Sequence, residues 1–303
     1  MKTYDIIVIG GGPGGMASAL YSLRAGRSVL ILEKENFGGQ IANSPRVENI
    51  PAIKEISGLE FSNNFFEQIL ALGAEFELEE VIDLTKENDL FTVKTNYNTY
   101  QAKVVIIATG VSHRNIGIER EEELSGKGVS YCAVCDGAFY KDKNVAVIGD
   151  GNTALQYSIL LTNYCKKVHI CTRFDHFSAD KILVDTLRRK ENIEIIHNVE
   201  LKQFVGDKEL SGLKFLQTTT QQELNIDVDA VFIAIGQVPN NETYKSLVDL
   251  DNGYIVTNER KETKTIGLYA VGDCTKKEIR QLSTATSDGS IAAINACRYL
   301  DTI

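Results

Sequence analysis

The feature that most restricts how this chain can fold is a pattern it carries twice: a short β-branched strand, a glycine turn, and a helix that starts without a linker. Tyr4 to Ile9 is the first apolar run, GGGPGG follows, and a helical pattern extends from Ala17 to Ala25. Around residue 145 the succession returns as NVAVIGDGNTALQYSILL, with Gly149, Gly151 and Ala154 spaced like Gly10, Gly12 and Gly15. In such a unit the glycines have separate tasks. Gly10 permits the tight turn, Gly12 lets a pyrophosphate approach the backbone, and Gly15 lets helix and strand pack closely, while the helix N-terminus faces the phosphates. A second strand, Val29 to Leu32, ends in Glu33, at the distance of about twenty residues where an acidic side chain accepts hydrogen bonds from a ribose 2′-hydroxyl. The plainer reading is a glycine-rich turn with no ligand, but strand, spacing and acidic residue agree on dinucleotide binding. Repetition of the whole unit implies an α/β chain with two Rossmann-like nucleotide-binding domains.

Length and charge bound the rest. At 303 residues and 43% hydrophobic composition the chain has material for two cores. A formal net charge of -9 argues against nucleic acid or an anionic membrane as partner. The opening MKTYDIIVIGGG passes straight into a strand pattern with no signal peptide, and no apolar run approaches the roughly 20 residues of a membrane span, so a cytoplasmic protein is expected.

In a reducing compartment the cysteines should not form a static framework, which singles out CAVCD at 132 to 136. Cys132 and Cys135 can close a small disulfide and open it again, and Cys-X-X-Cys thiols near a helix N-terminus or a positive group supply thiolate near neutral pH. Asp136 is placed to carry the proton that comes and goes with that exchange. Half of a zinc site is the alternative, but Cys165, Cys171, Cys274 and Cys297 include no second close pair. A structural staple is disfavoured because so short a loop restrains little chain entropy.

Further candidates lie in the long polar loop FGGQIANSPRVENIPAI, where Gln40, Asn43 and Asn49 offer amides to a bound ring or ribityl chain or are ordinary loop amides. A helix from about Gly58 to Leu72 follows, then strands around Phe76 to Val81, Leu90 to Val93 and Thr99 to Gln101, and a separate strand from Val104 to Ala108. Near the end, the strand Leu268 to Val271 terminates in Gly272 and Asp273, where an acidic group meets a ligand in the crevice of an open sheet. Arg280 and Gln281 precede a small-residue helix from Thr284 to Tyr299, whose alanines, serines and glycine allow close approach to a flat ligand or simply tight helix packing.

Taken together and in order, GGGPGG (10 to 15), GGQ (38 to 40), VENIP (47 to 51), ATG (108 to 110), CAVCD, AIGQVPN (234 to 240), GDC (272 to 274) and RQLSTATSDG (280 to 289) resemble the low-molecular-weight bacterial thioredoxin reductases over essentially the whole chain. The resemblance implies an FAD domain from residues 1–112 and 240–303 and an inserted NAD(P)-like domain from 113–239 carrying the redox pair. It implies domains of three-layer ββα type with the second inserted into the first, FAD held by Gly10, Gly12, Gly15, Glu33, Gln40, Asn49, Asp273 and Gln281, and a homodimer. It also assigns Cys132 as the sulfur that attacks thioredoxin, Cys135 as the one facing the flavin, and Asp136 as acid and base. The inserted domain is then expected to rotate about connectors near Val111 to Arg114 and Gly236 to Asn240.

The electron donor is where the chain departs from most of that family. NADPH-using members follow the inserted domain's second strand with HRRxxxR, whose arginines grip the 2′-phosphate. Here the positions read Thr172, Arg173, Phe174 and Ser178. Loss of two charge-assisted contacts to a dianion costs about 2–6 kcal/mol. No acidic residue ends that strand to favour NADH, and Gln156 stands where the family usually has Glu. The pattern is similar to ferredoxin-dependent flavin thioredoxin reductases of clostridial type, which makes ferredoxin the expected donor, docking on a basic patch such as Lys166, Lys167, Arg188, Arg189 and Lys190. An NADPH-dependent thioredoxin reductase is the alternative, and a non-catalytic FAD-binding redox sensor a second one.

Overall fold

The computed structural model describes residues 2–43, 47 and 49–303, with the side chains of Asn43 and Cys135 outside the description. The chain divides into two compact units, Met1–Ser112 with Val238–Ile303, and His113–Gln237 between them.

Unit 1 begins with β1 (Thr3–Ile9), α1 (Pro13–Arg24) and β2 (Val29–Glu33), followed by α2 (Gly58–Leu70), β3 (Glu75–Leu78), β4 (Val81–Glu87), β5 (Leu90–Thr95) and β6 (Thr99–Ile107). The strands lie in the order β3-β2-β1-β6-β5-β4. β1 pairs parallel with both β2 and β6. Such a strand is covered on both faces, which is why Ile6 to Ile9 of β1 and Val104 to Ile107 of β6 are unbroken apolar runs. Alternate residues then enter different cores. Ile7, Ile9, Leu30, Leu32, Val105 and Ile107 pack with Leu84, Phe91 and Val93 on one face. Ile6, Val8, Val29, Ile31, Val104 and Ile106 pack on the other against Met16 and Ala19 of α1.

The stretches 99–101 and 104–108, expected as separate strands, are one strand whose outer edge changes partner. Thr99 to Ala102 pairs antiparallel with β5, whereas Val105 to Ile107 is reserved for a parallel strand from the far end of the chain. The stretch 76–81 is instead divided between β3 and β4.

β7 (Val111–His113) leads out of unit 1. Unit 2 comprises β8 (Val129–Ser130), α3 (Ala133–Asp136), β9 (Asn144–Ile148), α4 (Asn152–Leu161), β10 (Lys167–Cys171), α5 (Lys181–Arg188), β11 (Ile193–Ile196), β12 (Val199–Gly206), β13 (Leu210–Gln217), β14 (Glu223–Ile226) and β15 (Ala230–Ile233). A parallel sheet of order β11-β10-β9-β15-β8 is joined by an antiparallel sheet, β12-β13-β14. Val145, Val147, Val168, Ile170 and Phe232 pack with Leu155 and Leu161 of α4, while Ala146, Cys171, Val231 and Ile233 pack with Phe204, Leu213 and Phe215 of the antiparallel sheet.

The chain returns through β16 (Gln237–Pro239), then forms β17 (Leu250–Asp251), β18 (Tyr254–Ile255), β19 (Leu268–Ala270) and α6 (Leu282–Leu300). Buried Asn241 secures the re-entry: its Nδ2 donates to the carbonyls of Gly253 and Cys274 at 2.8 and 3.0 Å, and its Oδ1 accepts from Thr109 Oγ1 at 3.1 Å. β19 completes the edge of β6. Both units are thus α/β with parallel Rossmann-like sheets. Among the described residues no helix is long and apolar enough to cross a membrane.

α6 lies close against α1 because its inward face is Ala285, Gly289, Ala292 and Ala296. A Cβ on Gly289 would sit 2.2 Å from the Gly14 carbonyl oxygen and 2.8 Å from the Ala17 Cβ. At Gly289, then, the small residue serves helix packing. Gly289→Ala is expected to force the helices apart and lower stability by about 1–3 kcal/mol. Urea unfolding should show a lower midpoint at unchanged slope.

Candidate active site

In unit 1 the first glycine turn is built by contact. Gly10 has φ +111°, and a Cβ there would lie 2.2 Å from the Ala108 carbonyl oxygen; one on Gly15 would lie 1.9 Å from the Gly10 oxygen. Gly12 differs, since the nearest atom to a Cβ there is Gly39 Cα at 3.9 Å. Its lack of a side chain therefore keeps space open above the turn. Gly12 is also the N-cap of α1 and gives no side-chain cap, so the helix's first N–H groups await acceptors from elsewhere. Glu33, at the end of β2, accepts from the N–H of Gly11 at 2.7 Å and of Glu35 at 3.0 Å, which holds its carboxylate beside the turn.

The other expected residues come to the same unit by different routes. Gln40 sits in a short 3-10 turn, Gly39–Asn43, and its Nε2 donates to the Val111 carbonyl. Asn49 Nδ2 donates to Gln281 Oε1 at 3.0 Å, so two residues far apart in sequence are paired. Gln281 is itself the N-cap of α6 in a capping box with Thr284. Asp273 lies in the turn Gly272–Cys274 after β19. Its Oδ1 is buried with no hydrogen-bond partner, and burial, with Asp288 adding to it, raises its carboxyl pKa against the pull of Lys277 and Arg280. Asn43 lies at the end of the Gly39–Asn43 turn, and its side chain is outside the described residues.

These observations fit a dinucleotide. An open space over an uncapped helix start suits a pyrophosphate, Glu33 beside it suits a ribose, and the orphaned Asp273 oxygen suits a ligand hydroxyl donor. The sequence did not single out a second carboxylate that shares Lys277 with Asp273. Asp288, 6% exposed on α6, receives Lys261 Nζ and Lys277 Nζ, each at 2.8 Å, and accepts from the Gly272 N–H at 3.2 Å. Its signal was an acid on an otherwise small and apolar helix face.

In unit 2 the redox motif hangs on Ser130, also missed from sequence. Buried at the end of β8, Ser130 Oγ accepts from the Cys132 N–H at 3.1 Å and donates to Asp136 Oδ2 at 2.7 Å. One hydroxyl thereby sets the orientation of Asp136 relative to the backbone of Cys132. Tyr131 stacks on His113 with ring centroids 4.3 Å apart, and its hydroxyl donates to buried Glu121 at 2.7 Å. Glu121 also takes the N–H groups of Ile116 and Gly117. Gly137 is sterically required, since a Cβ would meet Tyr164 Oη at 2.4 Å. Cys132 is disulfide-bonded, and the Cys135 side chain lies outside the described residues. Cys165, Cys171, Cys274 and Cys297 are buried free thiols. Burial pushes each thiol up, Cys165 to about 11.

The second glycine turn has the same backbone contact, with a Cβ on Gly149 2.2 Å from the Ala234 carbonyl oxygen. Its charges are different. Asp150 occupies the turn itself, and Asn152, at the start of α4, exchanges hydrogen bonds with Asp180 at 2.8 and 3.0 Å. Beyond β10, Arg173 faces Glu200 at 3.6 Å, Thr172 Oγ1 accepts from the Phe174 N–H, and Asp175 pairs with His176.

Comparison with known proteins agrees with this architecture. Residues 4–289 match the pyridine nucleotide-disulphide oxidoreductase family. The thioredoxin reductase of Listeria monocytogenes is 41% identical over 302 residues, covering 99% of this chain and 95% of that protein. Lactococcus lactis thioredoxin reductase in its FR conformation superposes with a TM-score of 0.96 at 33% identity, over 99% of this chain and 100% of the other. A ferredoxin-flavin thioredoxin reductase from Clostridium acetobutylicum superposes with a TM-score of 0.56 at 30% identity, over 100% of each chain. With two glycine-turn units, a site fitted to FAD and a CAVCD motif, the chain belongs to the pyridine nucleotide-disulphide oxidoreductases and, within them, to the FAD-binding low-molecular-weight thioredoxin reductases.

Proposed function

We propose that this chain reduces thioredoxin with electrons from reduced ferredoxin, passed through FAD in unit 1 and the Cys132/Cys135 pair in unit 2. Bound FAD accepts electrons singly or in pairs, which joins a one-electron donor to a two-electron disulfide. In this reading Gly12 and the α1 N-terminus receive the pyrophosphate, Glu33 the ribose and Asp273 a ribityl hydroxyl, with Gln40, Asn49 and Gln281 completing the site. Cys132 attacks the thioredoxin disulfide to form a mixed disulfide, Cys135, the sulfur facing the flavin, attacks Cys132 to release reduced thioredoxin and restore the Cys132–Cys135 disulfide, and Asp136, oriented by Ser130, gives and takes the proton. Phe139, 80% exposed just beyond the motif, offers an apolar contact to a protein substrate.

The observation that carries the choice of donor is the charge around the second glycine turn. A 2′-phosphate needs a fork of cations, and residues 172–178 supply Arg173 alone as a permanent cation, already facing Glu200 at 3.6 Å. Asp150 and Asp180 bring negative charge to the place where a pyrophosphate would lie. The similarity to a ferredoxin-flavin thioredoxin reductase supports the same reading. NADPH is the second reading, favoured by the retained turn: α4 begins at Gly151 with no side-chain cap, and a Cβ on Gly151 would meet nothing within 4 Å.

Mixed anaerobically, reduced ferredoxin should bleach the flavin absorbance rapidly while NADPH and NADH bleach it slowly; fast bleaching by NADPH would transfer the role to that nucleotide. Cys135→Ser should keep FAD bound and reducible yet lose thioredoxin reduction, and surviving turnover would overturn the scheme. Ser130→Ala removes a charge-assisted hydrogen bond worth about 1.5–3 kcal/mol, so thioredoxin reduction should fall on the order of tenfold or more at unchanged FAD content. Ser130→Thr, which keeps the hydroxyl, should recover most of it.

A further inference from the structure

We propose that Lys277 and Asp288 form a charge bridge that positions Asp273 and sets its charge for FAD binding. The inference rests on Asp273 being an FAD ligand, as read above. Neither residue needs to touch the cofactor; both act through Asp273 and are positioning residues.

Lys277 Nζ stands between two carboxylates, 2.8 Å from Asp288 Oδ2 and 3.8 Å from Asp273 Oδ1. The first contact is a hydrogen-bonded ion pair. The second is within ionic reach but beyond hydrogen-bond length, which leaves Asp273 Oδ1 orphaned and available to a ligand donor. Asp288 is anchored from the other side by Lys261 at 2.8 Å, and through the Gly272 N–H it also fixes the turn that carries Asp273. Gly272 has φ +75°, a left-handed conformation that this hydrogen bond helps to define. A carboxylate 6% exposed is costly to bury even when two lysines hold it, and this one also fixes the turn that carries Asp273.

Among the described residues the charged groups facing Asp273 are Lys277, Arg280 and Asp288. Arg280 is held over the Tyr254 ring at 4.2 Å, and its Nε donates to the Asp273 carbonyl at 3.4 Å. Burial raises the Asp273 carboxyl, Lys277 and Arg280 oppose that rise, and Asp288 adds to it. Ionised Asp273 is the stronger acceptor for a ligand hydroxyl, so FAD affinity should fall as pH drops through the Asp273 pKa. Removing Lys277 should raise that midpoint, and removing the Asp288 charge should lower it.

The experiment follows flavin release from diluted full-length holoenzyme, by the return of free-flavin fluorescence, at successive pH values from neutral downward. Lys277→Met should move the acid midpoint of FAD retention up by about one pH unit, and Asp288→Asn should move it down. The double variant should return close to the wild-type midpoint, and Lys277→Arg should keep it. Equal weakening at every pH in both single variants, with additive loss in the double, would overturn the charge bridge and leave a purely structural cluster. Asp273→Asn should abolish the acid limb. If it retains both the limb and wild-type affinity, the assignment of Asp273 to FAD fails instead, and the bridge with it.

Discussion

Unit 1 depends on one steric limit: the carbonyl oxygen of Gly10 lies where a side chain on residue 15 would have to begin, 1.9 Å from an ideal Cβ. That approach brings the first turn of α1 down over the end of β1 and aims its unmet N–H groups into open space. It also brings the turn to Glu33, whose carboxylate reaches the Gly11 N–H. The same economy of volume recurs at Gly289, where α6 closes on α1 and carries Asp288 to the Gly272 turn. Helix positions, exposed donors and buried charges in this unit all follow from backbone packed against backbone.

Unit 2 obeys the same steric rule at Gly149 but decorates it with a different charge. Asp150 stands in the turn, Asp180 is hydrogen-bonded to Asn152 at the start of α4, and Arg173 beyond β10 faces Glu200. Under the ferredoxin reading proposed above, the nucleotide fold of this unit serves as scaffold, because shape and ligand choice reside in different atoms. What the unit must still do is present the redox motif, and Ser130 at the end of β8 accomplishes that with a single hydroxyl.

Much of this was legible in the sequence. Doubly covered parallel strands announce themselves as apolar runs, and glycine turns are marked by residues that nothing else can replace. Gly10, Gly12, Gly15, Glu33 and Asp273 stand where their spacing put them. Strand limits were less legible where pairing is decided at a distance. β6 looks like two strands locally because its outer edge serves two partners, and β14, ELNI, alternates polar and apolar residues but is too short, at four residues, for the alternation to stand out. The break between β3 and β4 has a side-chain cause that periodicity cannot show: Glu79 turns inward to Thr95, Asn98 and Tyr100. Asn241 and the Lys261–Asp288–Lys277 cluster escaped notice for the same reason: their partners lie well away in the chain, and a contact between distant side chains leaves no repeat to read. Ser130 escaped it although its partners are two and six residues on, because a hydroxyl at the end of the short β8 follows no period.

The cysteines outside the motif carry a final implication. A catalyst of disulfide exchange lives among strong nucleophiles and electrophilic sulfurs, and any thiolate it exposed would divert turnover into mixed disulfides with its own substrates. By keeping Cys165, Cys171, Cys274 and Cys297 walled off and protonated, the fold denies them that competition. Chemical selectivity among identical side chains is thus achieved by hydrophobic enclosure, and the core that stabilises the protein also acts as its insulation.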